Sequence, residues 1–453
     1  MAFLLHALLC IRSPHSYSQV LGFFSPCWGP DAKTTAFLLC RTAAYGLGTT
    51  AEKRSTLACH ARSRGGRARH YVFALPHTDR PSRLATASRG SAAYPSVTAF
   101  TSLFSHFLSR GVDQSCRRAS PGQQPLCSAM KVYLTFDVEI WCNGWDDLDG
   151  RFRSSLERYV YGRSRHGDYA LPKTLEILDG NGLTGVFFVE PMFAARFGLE
   201  HLATIVGLIQ PSGHDIQLHL HPEWTDEIRP LVFPGAIRKR QHLSHYTLAE
   251  QCTLIALGRK LLADAGAKIA TAFRAGSFAA NADTYRALNI CGIRTDSSLN
   301  AVHPDSGLDL RGGIDFFHPV EIDNTLVLPM TVFRDGTGRL RPAQVGACSF
   351  AEIRMALESA AAIGVEHFVM LSHNFEMLKP DRSAPDAIVV RRFQNLCAYL
   401  AANRGRYQVS TLGEQPQITS QGAGTALPHA GLLATLERHG EQALRRVFAR
   451  SRT

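Results

Sequence analysis

Three apolar runs in this chain end on acids or imidazoles that could share one chemical task. Lys131-Val132-Tyr133-Leu134-Thr135-Phe136 leads into Asp137-Val138-Glu139, Asp215-Ile216-Gln217-Leu218 into His219-Leu220-His221, and Phe368-Val369-Met370-Leu371 into Ser372-His373-Asn374. Between the last two stand Phe273-Arg274-Ala275-Gly276 and Thr295-Asp296-Ser297. Residues two apart on a strand point the same way, so Asp137 with Glu139, and His219 with His221, form two pairs that could face one opening. Together they supply the nitrogen and oxygen ligands that suit zinc or a similar divalent ion. A catalytic ion takes three protein ligands, which leaves one acid over to act as a base. His373 is a candidate acid with Asp296 available to orient and charge it, and Arg274 could hold a carboxylate by a two-pronged contact.

Each of these residues also has an ordinary structural reading. A histidine in an apolar stretch is more often a core residue than a catalyst, and a His-x-His pair alone is weak evidence of a metal. Glu321, Asp323, Glu366 and Glu376 have similar surroundings and read as surface or loop acids. The order and placement of the series carry more weight than any one member.

Side chains this far apart in sequence meet only if a scaffold gathers the strand ends. From Met130 to about Glu414, strand-like runs (131–136, 185–189, 214–218, 270–273, 292–295, 326–330, 366–371 and 407–411) alternate with helical patterns. The helices fall near 171–180, 192–209, 247–265, 281–290, 350–363 and 386–402, with Asn281 and Ser349 as N-caps and Glu352 completing a capping box with Ser349. Such alternation predicts an α/β fold, a parallel barrel or its distorted relative, which builds its active site at the C-terminal ends of the strands. Segment 141–169, with Trp141 and Trp145, is long for a connection: it reads either as a lid with aromatics for sugar rings or as a packed loop. A linker and a short basic amphipathic helix near 431–449, expected to be solvated, make up residues 415–453.

Charge and cysteine divide the chain at Met130. Of a net +11, residues 1–129 carry 15 Lys+Arg against 4 Asp+Glu, which leaves 34 of each sign for residues 130–453. The basic excess therefore lies outside the strand–helix region, and nothing there calls for nucleic acid. Residues 1–129 lack sustained periodicity and read as a disordered extension, with a targeting segment as the alternative and Met130 as a possible natural start. The five later cysteines form no paired spacing and read as reduced thiols. No apolar run reaches the roughly 20 residues that span a bilayer.

The series resembles the polysaccharide deacetylases of carbohydrate esterase family 4, whose shared unit is the NodB-homology domain. Thr135-Phe136-Asp137-Val138-Glu139 is similar to that family's Thr-Phe-Asp-Asp-Gly, and Ser212-Gly213-His214-Asp215-Ile216-Gln217-Leu218-His219 to its Gly-His-Glu-Ile-x-x-His. Phe273-Arg274-Ala275-Gly276-Ser277-Phe278, Asp296 and Leu371-Ser372-His373 match the third, fourth and fifth motifs in order. The resemblance implies a distorted (β/α) barrel in residues 130–414 and metal-dependent removal of acetyl groups from N-acylated sugars. By position, Asp137 would be the general base, His373 the general acid, Asp296 its tuning residue, Arg274 the partner of Asp137, and His219 a metal ligand. The family's second acid is Val138 here and its second histidine is Glu223. Glu139 and His221 are the nearest replacements, with Glu223 an alternative to either.

The function expected is a zinc-dependent deacetylase acting on a carbohydrate. An amidohydrolase acting on a small non-sugar amide and a non-catalytic carbohydrate-binding relative are the competing readings. A start at Met130 would imply the cytoplasm.

Overall fold

The computed structural model describes residues 129–418 and 426–450, together with a two-residue antiparallel pairing of Leu38–Leu39 with His60–Ala61. The chain divides into two units, Met1–Ala119 and Ser120–Thr453. The readings made for residues 1–128 lie outside the described residues.

The second unit is built on a curled sheet. Its strands are β1 (Met130–Val138), β2 (Val186–Val189), β3 (Asp215–Leu220), β4 (Ala272–Ala275), β5 (Thr295–Asp296), β6 (Val320–Ile322) and β7 (Thr325–Val327). A hairpin of β8 (Val332–Arg334) and β9 (Leu340–Pro342) precedes β10 (His367–His373) and β11 (Tyr407–Val409). The spatial order is β6-β7-β5-β4-β3-β2-β1-β10, parallel except for β6 with β7. Strand β1 pairs with β10 along one edge, and its other edge is shared by β11 at Met130–Val132 and β2 at Thr135–Val138. The outer edge of β10 is met by irregular chain: Thr331 N–H donates to Val369 O (3.1 Å), and Leu371 N–H to Ala343 O (2.9 Å). The sheet thus closes as a distorted half-barrel rather than a regular eight-fold ring.

Strand phase separates two cores. Val132, Leu134, Phe136 and Val138 face outward into the larger core, where Phe136 stacks on Phe187 at 4.9 Å. The alternate residues face the lumen, where Tyr133, Val186, Phe188, Ala272, Leu326, Val369 and Leu371 pack together. Inward positions become polar toward the strand C-termini: Tyr133 gives way to Thr135 and Asp137, and Val369 and Leu371 to His373. The same backbone that seals the barrel floor with hydrocarbon therefore lines its mouth with titratable groups.

Helices α1 (Leu148–Leu156), α2 (Leu171–Gly180), α3 (Leu199–Ile209), α4 (Leu248–Asp264), α5 (Ala282–Ile290), α6 (Phe350–Ala362), α7 (Ala387–Ala402) and α8 (Leu432–Arg450) complete the unit. Asn281 and Ser349 cap α5 and α6 as predicted, and Thr247 adds a third capping box on α4. Each cap contributes about 1 kcal/mol by satisfying N–H groups that a helix start leaves open. Segment 141–169 is not a plain loop, since it contains α1 and a turn that continues it.

Helix α8 departs from the solvated helix expected. Its polar face is the buried one: Arg438, 1% exposed, reaches Asp335 (3.0 Å) and Glu352 (3.0 Å), and Arg445 reaches Asp386 (2.6 Å). Leu433, Leu436, Leu444 and Val447 point to solvent instead. Periodicity identifies an amphipathic helix but not which face a buried ion pair will claim.

Candidate active site and metal centre

The site follows from strand register. Asp137 on β1 pairs directly with His373 on β10, and His219 on β3 with Arg274 on β4, so all four occupy inward positions at the mouth. Glu139 and His221 extend the same phase one step beyond their strands.

His219 Nε2 and His221 Nε2 converge on one oxygen, Glu139 Oε1, at 3.0 and 2.9 Å. His219 Nδ1 lies 2.8 Å from the Arg274 carbonyl, which can only accept, so Nδ1 carries the proton and Nε2 presents a lone pair. That lone pair faces a carboxylate oxygen. Two acceptors at this distance need a positive charge between them. Burial alone would raise the Glu139 carboxyl, but the His221 and His219 imidazoles outweigh it and hold it well below the usual range. Burial opposes charge on His221 too, yet Glu139 and Glu223 raise its pKa well above that of a free imidazole. One carboxylate and two imidazoles, all buried and mutually within 4.8 Å, fit a zinc-like ion by both donor type and proximity.

Glu223 stands behind the cage. Its Oε1 is 3.2 Å from His221 Nδ1, which fixes that ring as the Arg274 carbonyl fixes His219. This arrangement favours Glu139 over Glu223 as the third ligand. Gly276 completes the support: a Cβ there would fall 2.7 Å from Leu220 O and 2.8 Å from the His221 ring.

Asp137 is held by Arg274, whose Nη1 donates to its Oδ1 at 2.6 Å. The guanidinium is fully buried and fixed by Thr135 (2.9 Å), the Ser297 carbonyl (3.1 Å) and the Ser297 hydroxyl (3.0 Å), with the Phe188 ring beneath it. The other Asp137 oxygen lies 4.0 Å from His219 Nε2, which turns it toward the cage. Arg274 therefore positions the carboxylate while leaving its second oxygen available.

His373 required a correction. The partner expected for it was Asp296, but Asp296 pairs in register with Phe273, an outward residue, and so lies on the helix side of the sheet. It accepts from the Ser298 hydroxyl (2.5 Å), Ser298 N–H (2.8 Å) and Tyr285 (3.3 Å), and burial lifts its pKa to about 6 despite those bonds. One residue of strand phase separates it from the lumen. The actual partner is Glu376, read from sequence as a loop acid, whose Oε1 is 2.9 Å from His373 Nδ1. Gly346 N–H (2.7 Å) and Gln344 Nε2 (2.5 Å) fix that carboxylate. Burial alone would lower the His373 pKa; the Glu376 bond and the charges of Glu139, Glu376 and Asp137 raise it to about 9.

Two further residues escaped the sequence reading, and a third, Trp141, takes a contact that reading did not foresee. Asn374 ties the ends of β1 and β10 together by accepting from Glu139 N–H (3.1 Å) and donating to Glu139 O (3.2 Å). Glu190, just beyond β2, is buried with one oxygen unpartnered, and burial pushes its pKa to about 8, partly countered by His221. Trp141 donates to Glu139 Oε2 at 2.6 Å and sets its ring edge-on to His221. Only its place after a strand-end acid hinted at this. Trp145 instead packs against Trp224 and under Lys239. Trp145 thus fits the packed reading of the segment, and Trp141 lines the cavity.

A cavity of about 570 Å³ opens over these groups, with Asp137, Glu139, His221 and His373 in its lining. Among the described residues no helix is long and apolar enough to cross a membrane.

No family model matches the chain, and no curated protein does. Solved structures are similar at the level of the fold. A Mycobacterium smegmatis protein described as a polysaccharide deacetylase is 18% identical, with a TM-score of 0.41 over 73% of this chain and 96% of its own. A family 4 carbohydrate esterase from Streptomyces lividans is 14% identical, with a TM-score of 0.31 over 62% of this chain and 91% of its own. Puue allantoinase is 14% identical, with a TM-score of 0.40 over 65% and 92%.

Proposed function

We propose that the chain is a metal-dependent hydrolase that removes acetyl or similar acyl groups from the nitrogen of a sugar or glycan. One observation carries the reading: an arginine-held carboxylate and a glutamate-held imidazole flank a Glu/His/His cage at the mouth of one cavity. A protein that only bound carbohydrate would have no use for a base and an acid held ready beside a cation site.

Glu139, His219 and His221 would hold the ion, which zinc suits best by donor type. When bound, the ion supplies Lewis acidity toward the acyl carbonyl. The remaining chemistry belongs to the chain. Asp137, with Oδ1 occupied by Arg274, takes the proton of the attacking water on Oδ2. His373, kept charged by Glu376, delivers a proton to the departing amine, without which the C–N bond resists cleavage. The motif resemblance of 131–373 favours a sugar amide over a small non-sugar amide.

Acetate release from N-acetylated oligosaccharides by zinc-loaded protein tests the proposal, with Asp137→Asn as the control. The variant should keep its zinc and lose turnover by at least about a hundredfold, the range for a general base. Loss of zinc instead would make Asp137 a ligand and reverse the assignment. Zinc-loaded wild type that releases no acetate from any sugar amide, yet hydrolyses small amides, would favour the non-sugar alternative.

A further inference from the structure

The cavity that holds the catalytic groups has a further stretch of wall with a chemistry of its own. Arg341 of β9 lines that wall together with Asn300 and His303, which follow β5. Arg341 is anchored through Nε alone, 3.4 Å from Asp335 Oδ2. Among the described residues its two terminal nitrogens have no hydrogen-bond partner. Asn300 is 4% exposed; its Oδ1 accepts from Val302 N–H (3.2 Å), and among the described residues its amide N–H groups meet no acceptor. His303 Nδ1 accepts from Asp305 N–H (3.4 Å), which puts the proton of the neutral ring on Nε2. Unused capacity along this stretch is therefore weighted to donors. The Gln344 amide is already given to Glu376, so its carbonyl is the main neutral acceptor there.

Arg341 is also held from below. Asp335 is 3% exposed and accepts from Thr337 N–H (2.9 Å), the Thr337 hydroxyl (2.6 Å) and Arg339 N–H (3.1 Å), while Arg438 of α8 binds its second oxygen at 3.0 Å. A carboxylate so fixed sets the direction of the guanidinium fork before any ligand arrives, which lowers the entropy cost of binding. One planar cation and one buried primary amide on the same cavity lining suit a monoanion with two in-plane oxygens.

Resting on the deacylase reading, we propose that the substrate carries a carboxylate near its N-acyl group, and that Arg341 binds this carboxylate with Asn300 as a second donor.

Two N-acetylated disaccharides serve as probes, identical except that one bears a carboxylate where the other bears the primary amide. With zinc-loaded full-length protein, kcat/KM should favour the carboxylate roughly ten- to hundredfold, mainly through KM, as expected for one charge-assisted pair. Arg341→Gln should bring the two probes level. Arg341→Lys, which keeps the charge but not the fork, should restore part of the preference, and melting temperatures confirm that both variants fold. Equal kcat/KM in wild type, or a preference that survives Arg341→Gln, overturns the carboxylate assignment and leaves the hydrolase reading standing. If neither probe is hydrolysed, calorimetric binding to Asp137→Asn protein separates the two ideas. Selective binding that needs Arg341 upholds the recognition and sinks only the deacylase reading; unselective or absent binding overturns the recognition.

Discussion

Substituting Glu376 by Gln tests the proton-delivery step at its least obvious member. His373 has a pKa of about 9, so its imidazole is charged below that pH and loses its proton as pH rises through it. Burial works against the charge, and the bond from Glu376, 2.9 Å away, is the foremost effect opposing it. Gln keeps the shape and an accepting oxygen but removes the anion. The remaining charges, Glu139 and Asp137, are already engaged by the metal cage and by Arg274. The imidazole should then fall to about its ordinary 6.5 or lower. At pH 8 the protonated fraction drops from about 0.9 to about 0.03, a loss of roughly thirtyfold in kcat/KM if His373 must be charged. Near pH 6 the variant should approach wild type. The pH–rate profile from 5.5 to 10 is the assay: its alkaline limb should move down by about two and a half units while zinc content stays constant. A limb that stays in place, with activity reduced equally at every pH, would refute the pairing or the role of His373 as the acid.

The other predictions concern the cage and its frame. His219→Ala and Glu139→Gln should each cut zinc affinity by at least tenfold in chelator competition; unchanged affinity would point to a different ligand set. Gly276→Ala, whose methyl would press on the His221 ring and on Leu220 O, should weaken zinc binding and cost about 1–3 kcal/mol in denaturant unfolding. A neutral result there would show that His221 does not depend on this contact. Arg438→Met strips the shared partner from two buried carboxylates, Asp335 and Glu352, and should destabilise the fold by about 3–5 kcal/mol in thermal or urea melts. Stability within about 1 kcal/mol of wild type would mean that α8 is the solvated appendage its sequence suggested.

The alternation of strands and helices was legible because both periods depend on nearest neighbours along the chain. Strands β1, β3 and β10 and six helices lie close to where hydrophobic pattern and caps place them. Asp137, Glu139, His219, His221, Arg274 and His373 gather at one mouth because each ends or extends a strand in the inward phase, a property of spacing two. Sequence therefore determined which strand ends carry chemistry and which pairs face the same way. It could not settle register between strands or the side to which a two-residue strand turns. Asp296 belongs to such a strand, and pairing with Phe273 rather than Arg274 places it among the helices. Glu376 and Arg438 show the same limit from the other side. An acid three residues past a strand and an arginine on a terminal helix look solvated until folding supplies a buried imidazole or a carboxylate pair. Glu376, three residues past His373, is set in place by Gln344 and Gly346, 32 and 30 residues away, and the ligand set and the hold on Asp137 join residues 80 to 137 positions apart. Only the closed sheet brings those segments within hydrogen-bonding distance, because local preference carries no information about which distant groups will share a desolvated space.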